Sequence, residues 1–382
     1  MKKLAILYDC PYPYVLGGGQ KRLFEVATRL AVQGWQVDWF SLKFWEGTND
    51  IQDSIRYHTV GERVDLYNES GKRTIGEAVY YGAKVWNLRE LRNFDIILCG
   101  QWPFFHLFPA RFFSEIGGGT LVVDWWETWD SHWFEYYGWK GFIGIILERI
   151  CSRIPKGIIS ISELGKQQLV DIGVSAQKIR VIPNGIDFKK IRKASPSGDQ
   201  YDLIYIGRLQ HHKNIDHLLE ALAILKTQFG LSLTLQIIGD GPAKPQLEKL
   251  SEELGVRNQV LFTGLIQSDE GVYSRMKSAK IFVHPSTKEG GGSITLLEAN
   301  ACGLPIIAYR HPAGISSELI ESGRNGAWVD EIGPSFLAEA IKEAFLSKSY
   351  LEMGPKSIDF SERYDWKRIS VEYDKYFSTL LE

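Results

Sequence analysis

Residues Lys288–Pro305 read KEGGGSITLLEANACGLP, with Glu289 and Glu298 on either side of three consecutive glycines. The preceding KIFVHPS (280–286) is an apolar run that predicts a strand, and SITLLEANA (293–301) predicts a helix stopped near Gly303 and Pro305. Strand, glycine loop and helix in that order present unpaired N–H groups and the positive end of a helix dipole at the edge of a sheet. Glycine lets a ligand approach that backbone closely, so the arrangement suits a diphosphate. Glu298 falls one to two turns into the helix among Leu296, Leu297, Ala299 and Ala301, where a charge needs a partner. A ribose diol, donating two hydrogen bonds to one carboxylate, is such a partner. Glu289, on the loop, stands where hydroxyls of a sugar beyond the phosphates would be met. A glycine turn with two solvated glutamates uses the same residues, and the stretch alone leaves both readings open.

A second segment shifts the balance. YIGRLQHHKNIDHLLEA (205–221) puts Arg208 just after a strand and Lys213 five residues on, ahead of a helix. Two cations at the carboxyl end of a strand can neutralise a diphosphate leaving group as charge develops on it. The plain alternative is a surface arginine and lysine. GGGQKRLFEVATRL (17–30) again sets three glycines before a helix, but the pattern is not G-x-G-x-x-G, so no dinucleotide fingerprint is present.

Outward from these segments, strand-like runs alternate with helical ones: KLAILYD, WQVDWFSL, DIILCG, TLVVDW, KGIISIS and KIRVIPNG, then YDLIYIGRL, LTLQIIGDG, VLFTG and PIIAY. Such alternation predicts parallel sheets covered on both faces, with ligands at the carboxyl ends of the strands. The pattern pauses at KKIRKASPSGDQ (189–200), and 382 residues at ~150 per domain also suggest two domains. The expected organisation is therefore α/β: two doubly wound Rossmann-like domains, 1–188 and 189–360, facing across a cleft. A closing amphipathic helix, 361–382, follows them.

Composition narrows the function classes. The chain is 44% hydrophobic with net charge -2, and residues 1–188 carry 21 basic and 21 acidic side chains. That balance argues against a nucleic-acid groove. Cys10, Cys99, Cys151 and Cys302 form no CxxC pair and read as free thiols. The opening apolar run is shorter than the ~7–15 residues of a signal peptide's core. No run approaches the ~18 residues of a membrane span. The expectation is a cytoplasmic protein, at most peripheral on the inner face of a membrane. His211, His212 and His217 lack the cysteine or carboxylate that would complete a metal site, while His106 and His132 read as structural.

Taken together, GGGQKRLFEVATRL, SISELGKQQL, VIPNGID, GRLQHHKN, IIGDGP, HPSTKEGGGSITLLEANACGLP and NGAWV resemble glycosyltransferase family 4, in the order that family shows them. The resemblance implies the GT-B fold and a retaining transfer from a nucleoside-diphosphate sugar to a carbohydrate or lipid-linked glycan acceptor. It implies that Arg208 and Lys213 grip the diphosphate, with Gly239 and the backbone of Ser293, Ile294, Thr295 and Leu296. Glu298 would hold the ribose, Glu289 the donor sugar, and Gly18 and Gly19 would close on the phosphates. Family members of this kind use no metal, and the absence of a DxD motif agrees, so neither metal nor cofactor is expected.

Two departures stand out. The family places seven residues between its glutamates, whereas this chain has eight, the extra one among Gly290–Gly292. In VVDWWETWDSHWFEYYG (122–138), Trp126 falls where the family often has a histidine, with Glu127 beside it. Glu127 is therefore a candidate in the catalytic pocket, and Trp125, Trp126, Glu127 and Trp129 are acceptor-side candidates. Ten of the twelve tryptophans precede residue 150, so this half carries an aromatic surface or pocket. The following helix is expected to bury Ile143, Leu147, Ile150 and Ile154. It would show a stripe of Phe142, Ile145, Ile146, Arg149, Arg153 and Lys156 suited to anionic lipid or, equally, to ordinary packing. A nucleotide-sugar epimerase of the same fold and a catalytically inactive binding module are the alternatives to a transferase.

Overall fold

The computed structural model describes residues 1–15, 17–47, 51–66 and 73–382. The chain forms two compact units, Met1–Pro183 with Trp366–Glu382, and Asn184–Asp365. In the first unit the strands are β1 Lys3–Leu7, β2 Gln36–Lys43, β3 Ile51–Gln52, β4 Ile55–Glu62, β5 Ile96–Gly100, β6 Thr120–Trp125, β7 Gly157–Ser160 and β8 Ile179–Val181. They lie in the order β3-β4-β2-β1-β5-β6-β7-β8, all parallel except β3 against β4. The second unit has β9 Tyr201–Ile206, β10 Leu235–Ile238, β11 Val260–Gly264, β12 Ala279–His284, β13 Ile306–Tyr309 and β14 Gly326–Val329. Their order, β11-β10-β9-β12-β13-β14, is wholly parallel.

Runs such as LAIL and IILCG are buried on both faces, as a parallel strand covered by helices requires. Each sheet reverses its strand order once, between β1 and β5 and between β9 and β12. At such a point two adjacent strand ends splay their loops apart and leave a crevice. The loops after β9 and β12 hold Arg208, Lys213 and Glu289. The loop after β6, next to β5, holds Trp126 to Asp130.

The unit boundaries differ slightly from those expected. The second unit begins at Asn184 because Ile186, Phe188, Ile191 and Ala194 are buried in its core, alongside Phe360 and Tyr364 near its other end. Part of the polar stretch expected as a pause is the helix Phe188–Lys193, whose first turn is capped by Asp187 accepting from Lys190 N at 2.9 Å. β4 (IRYHTVGE) and β14 (GAWV) were not anticipated as strands. β4 lies toward one edge of its sheet, where its polar residues are exposed.

In the first unit the closing helix, Trp366–Leu381, buries Trp366, Ile369, Tyr373 and Phe377 in the same core as Leu23, Val26 and Leu30. A buried ionic cluster ties it down. Arg22 and Asp124 are at most 1% exposed, with Arg22 Nε 2.9 Å from Asp124 Oδ2. The remaining guanidinium nitrogens donate to Ile182 O and Pro183 O, each at 2.7 Å, and the Tyr373 hydroxyl donates to Asp124 Oδ2 at 2.6 Å. Burial alone would disfavour the charged arginine, but the adjoining carboxylate holds its pKa above the ordinary value. Removing the carboxylate charge with Asp124→Asn strands a buried cation. It should lower unfolding free energy by about 3–5 kcal/mol, read as a drop in urea midpoint.

Candidate active site

The second unit gathers the predicted donor-side residues at the carboxyl ends of β9, β10 and β12. After β9 the chain makes a 3-10 turn, His211–Lys213, and enters the helix Ile215–Phe229 through Asn214, which is left-handed at φ 49. Asn214 is at home there, since a short amide side chain tolerates that region and bonds locally. Its amide donates to Pro285 O at 2.9 Å, and Thr287 N donates to His212 O at 3.3 Å. The loop carrying Lys213 is thus stitched to the loop carrying Glu289.

Three side chains converge on one oxygen. Lys213 Nζ lies 2.6 Å from Glu289 Oε1 and His284 Nε2 lies 3.0 Å from the same atom, with side-chain exposures of 15%, 11% and 3% for Lys213, Glu289 and His284. Burial acts to raise the carboxyl pKa, but His284 and then Lys213 outweigh it and hold it at about 2. Glu289 is therefore ionised throughout the neutral range. Arg208 contrasts with Lys213, being exposed with no polar side-chain partner among the described residues.

Gly239 sits at φ 143, and a Cβ there would lie 1.9 Å from Gly207 O. Only glycine lets the loops after β9 and β10 meet backbone to backbone. The helix Ile294–Ala301 begins at Ser293 with no side-chain cap, leaving its first amides without that partner. One to two turns in, Glu298 is 7% exposed and accepts from the buried Tyr273 hydroxyl at 2.9 Å. That bond settles one oxygen of a carboxylate that the apolar helix face would otherwise strand.

The first-unit candidates divide. Trp125 is a correction: at 1% exposure it packs against Phe104 in the core, with no free face to stack on a sugar. Trp126 is half-buried and its indole occupies the space over Gly19, where a Cβ would lie 2.4 Å from the ring. Within this unit the indole is what demands glycine at 19, while Gly18 is exposed. Glu127 and Trp129 are half-buried on a loop held at both ends. Gln101, fully buried after β5, accepts from Trp126 N and Glu127 N and donates to Glu127 O. Glu148, 1% exposed, accepts from Trp129 N, Asp130 N and Trp133 Nε1 at 2.9, 2.8 and 3.2 Å.

The helix Gly141–Cys151 is the second correction. Ile143 and Ile150, expected inside, are 57% and 48% exposed, and Phe142 and Ile146 are exposed with them. The inward face includes Gly141, Gly144, Glu148 and Cys151, and of the expected set Leu147 and Ile154 are half-buried against the core. The two glycines let Trp133 press against the helix, where any Cβ would stand 2.4 Å or less from Trp133 atoms. His106 is fully buried, and burial pushes its imidazole down to about 3, which keeps it neutral. Among the described residues no cluster of three or more ligating side chains forms a metal site.

Comparison with known proteins decides the family. The profile described as Glycosyltransferase Family 4 matches residues 16–190, and that described as Glycosyl transferases group 1 matches residues 187–358. The chain belongs to glycosyltransferase family 4. An uncharacterized glycosyltransferase of Methanocaldococcus jannaschii is 28% identical over 59% of this chain and 60% of its own length. The alpha-monoglucosyldiacylglycerol synthase of Streptococcus pneumoniae is 32% identical over 50% of this chain and 45% of its own. The chain thus spans about 60% or less of the length of these relatives. The crystal structure of Anabaena HepE with UDP covers 99% of this chain and 100% of its own, at TM-score 0.75 and 19% identity. That likeness gives the GT-B fold: two Rossmann-like units, each a parallel sheet.

For a family 4 member the eight-residue glutamate spacing now has a physical account. Gly290 and Gly291 take left-handed φ of 58 and 88, and Glu289 N and Gly291 N donate to Ala313 O and Gly314 O at 2.9 and 3.0 Å. The loop turns on itself, so the extra glycine is absorbed while Glu289 stays against Lys213. Sequence reasoning missed His284, Tyr273, Gln101 and Glu148. A lone carboxylate inside GFIGIILERIC was the available signal for Glu148, and a histidine ending an apolar strand was that for His284.

The Glu289 cluster makes a pH prediction. Its folded pKa, about 2, lies below the ordinary 4.5. Its stabilisation is therefore fully present above pH 4.5 and fades as pH falls toward 2. Urea midpoints of wild type and Glu289→Gln should differ at pH 6, and the gap should narrow steadily through pH 4 and pH 3.

Proposed function

We infer that this chain is a retaining glycosyltransferase, moving a sugar from a nucleoside diphosphate to an acceptor hydroxyl. The observation that carries this is the exposed Arg208, without a polar side-chain partner among the described residues, just past the strand beside the one that leads into the uncapped Ile294 helix. A cation and a row of amides at adjoining strand ends meet the two phosphates of a leaving group, and Lys213 adds a second cation. Glu298 takes the ribose hydroxyls, and Glu289 takes hydroxyls of the donor sugar. The charge is met by protein groups, so the reading includes no metal and no cofactor.

In the step itself the bond from anomeric carbon to phosphate oxygen breaks, and the acceptor oxygen bonds to that carbon on the same face. The acceptor's proton passes to an oxygen of the departing diphosphate. The enzyme's part is positioning and stabilisation of the leaving charge. HepE was solved with UDP and with UDP-glucose, so uridine diphosphates are the first donors to test.

The acceptor reading rests on the first unit. The Trp126 and Trp129 indole N–H groups and the Thr128 hydroxyl have no hydrogen-bond partner among the described residues, and they sit on the clamped loop beside Glu127. Those atoms are buried, and the proposed acceptor contact is made by the half-buried faces of Trp126 and Trp129. Nearby, Trp139, Phe142, Ile143, Ile146 and Ile150 are 44–74% exposed, rimmed by exposed Lys140, Arg149, Arg153 and Lys156. This combination suits the headgroup boundary of an anionic membrane, where a lipid-linked glycan acceptor resides. The proposed setting is the cytoplasmic face of that membrane.

Two experiments test the reading. A thermal-shift screen with UDP, GDP, ADP and their sugar conjugates should show one nucleotide series stabilising the fold, by ~2.7 kcal/mol at a hundred times the dissociation constant. Arg208→Ala and Lys213→Ala should each lower transfer on the order of 100-fold in kcat. No response to any nucleotide, or full activity in both variants, removes the assignment. For the surface, co-sedimentation should succeed with vesicles containing anionic phosphatidylglycerol and fail with phosphatidylcholine alone. Ile146→Glu should abolish it.

A further inference from the structure

Lys213 is claimed twice. The proposed donor site needs its ammonium on the diphosphate, yet its Nζ lies 2.6 Å from Glu289 Oε1, in a pocket where both side chains are mostly buried. Charges so placed interact more strongly than in water. A ligand phosphate that takes Lys213 therefore competes with an ionised carboxylate, which also repels it. His284 Nε2, 3.0 Å from the same oxygen, is the other side chain paired with it among the described residues.

Intact donor and bare nucleoside diphosphate meet this arrangement differently. A nucleotide sugar has an esterified terminal phosphate and brings sugar hydroxyls that donate to Glu289. The free nucleoside diphosphate has no hydroxyl to offer there. It also carries one more negative charge on the terminal phosphate, whose last ionisation falls at a pKa of ~6. The same carboxylate is a partner for one and an opponent of the other.

We propose that Glu289, by contesting Lys213 and repelling the terminal phosphate, makes the site discriminate against the free nucleoside diphosphate and so drives product release. The specificity for intact donor over product then resides in the Lys213–Glu289–His284 cluster rather than in the base or ribose contacts. This rests on the donor-site reading above, and it makes a demand that simple sugar recognition does not. Removing the charge of Glu289 must strengthen binding of a ligand that never touches the sugar position.

The experiment is calorimetric titration at pH 8 of wild type, Glu289→Gln and His284→Asn with UDP and with UDP-glucose, or with the GDP or ADP pair if the screen selects that base. Glu289→Gln should bind the nucleoside diphosphate about tenfold more tightly and the nucleotide sugar more weakly, lowering the preference for donor. His284→Asn should shift the diphosphate the other way, since a carboxylate without its imidazole holds Lys213 harder. General damage to the loop would weaken every ligand in both variants. If wild type binds the nucleoside diphosphate and Glu289→Gln binds it equally or less well, the proposal is overturned while the donor site stands. If wild type binds neither the nucleoside diphosphate nor the nucleotide sugar, the donor site and the proposal fall together.

Discussion

The parallel pairing of β9 with β12, Leu203 against Ile281 and Ile204 against Phe282, is the constraint on which the second unit's chemistry depends. The two strands are distant in sequence, and their pairing sets two unrelated loops side by side at one sheet edge. Everything polar in the site follows from that adjacency: the stitch of Asn214 to Pro285, Lys213 on Glu289, and the turn into the Ile294 helix. Shift the register by one residue and alternate side chains exchange faces, so the cluster would not form. Apolar burial of the strands thus fixes the geometry of the charges. The charges could not have organised the strands, because desolvating them costs more than a loosely placed partner returns.

The first unit solves a different problem with the same elements. Its loop after β6 is rich in indole and must be held still without filling the space it borders. Gln101 and Glu148, each almost wholly buried, do this through backbone amides rather than through the side chains. The indole N–H groups of Trp126 and Trp129 are buried there without hydrogen-bond partners among the described residues. Burial raises the Glu148 pKa, while the three N–H donors oppose that rise. The loop's shape therefore depends on a carboxyl whose two oxygens have no other task.

Much of this was legible in the sequence, for stated reasons. Strands buried on both faces announce themselves as uninterrupted apolar runs, and the glycine loops mark where backbone must come close. Placing Lys213 and Glu289 beside glycine-rich strand ends agrees with their contact at 2.6 Å, and an apolar helix face around Glu298 agrees with its burial against Tyr273. Three things were not legible. β4 lies toward a sheet edge with a polar face, so its pattern resembles a loop. His284 and Tyr273 act through partners far away in sequence, and no spacing rule reaches across a sheet. The buried face of Gly141–Cys151 was misjudged because apolar periodicity assumes that the larger side chains point inward.

That last misjudgement has a physical lesson about this helix. An inward face of Gly141, Gly144, Glu148 and Cys151 is small enough to accept Trp133 and polar enough to bind a loop. Ile145 and Leu147 pack partly against the core, while Phe142, Ile143, Ile146 and Ile150 are left outside. In a helix evolved only to pack, isoleucine outside and glycine inside would forfeit burial on both faces, on the order of 25 cal/mol for each square ångström left in water. The arrangement makes sense when each face has its own partner. The inner one holds the tryptophan loop by hydrogen bonds, and the outer one, rimmed by Arg149 and Arg153, is apolar and exposed. One helix of eleven residues then relates the two faces, tied to the loop by Glu148 on Trp129 N and Asp130 N and by Arg149 on Asp130 Oδ1 at 3.3 Å.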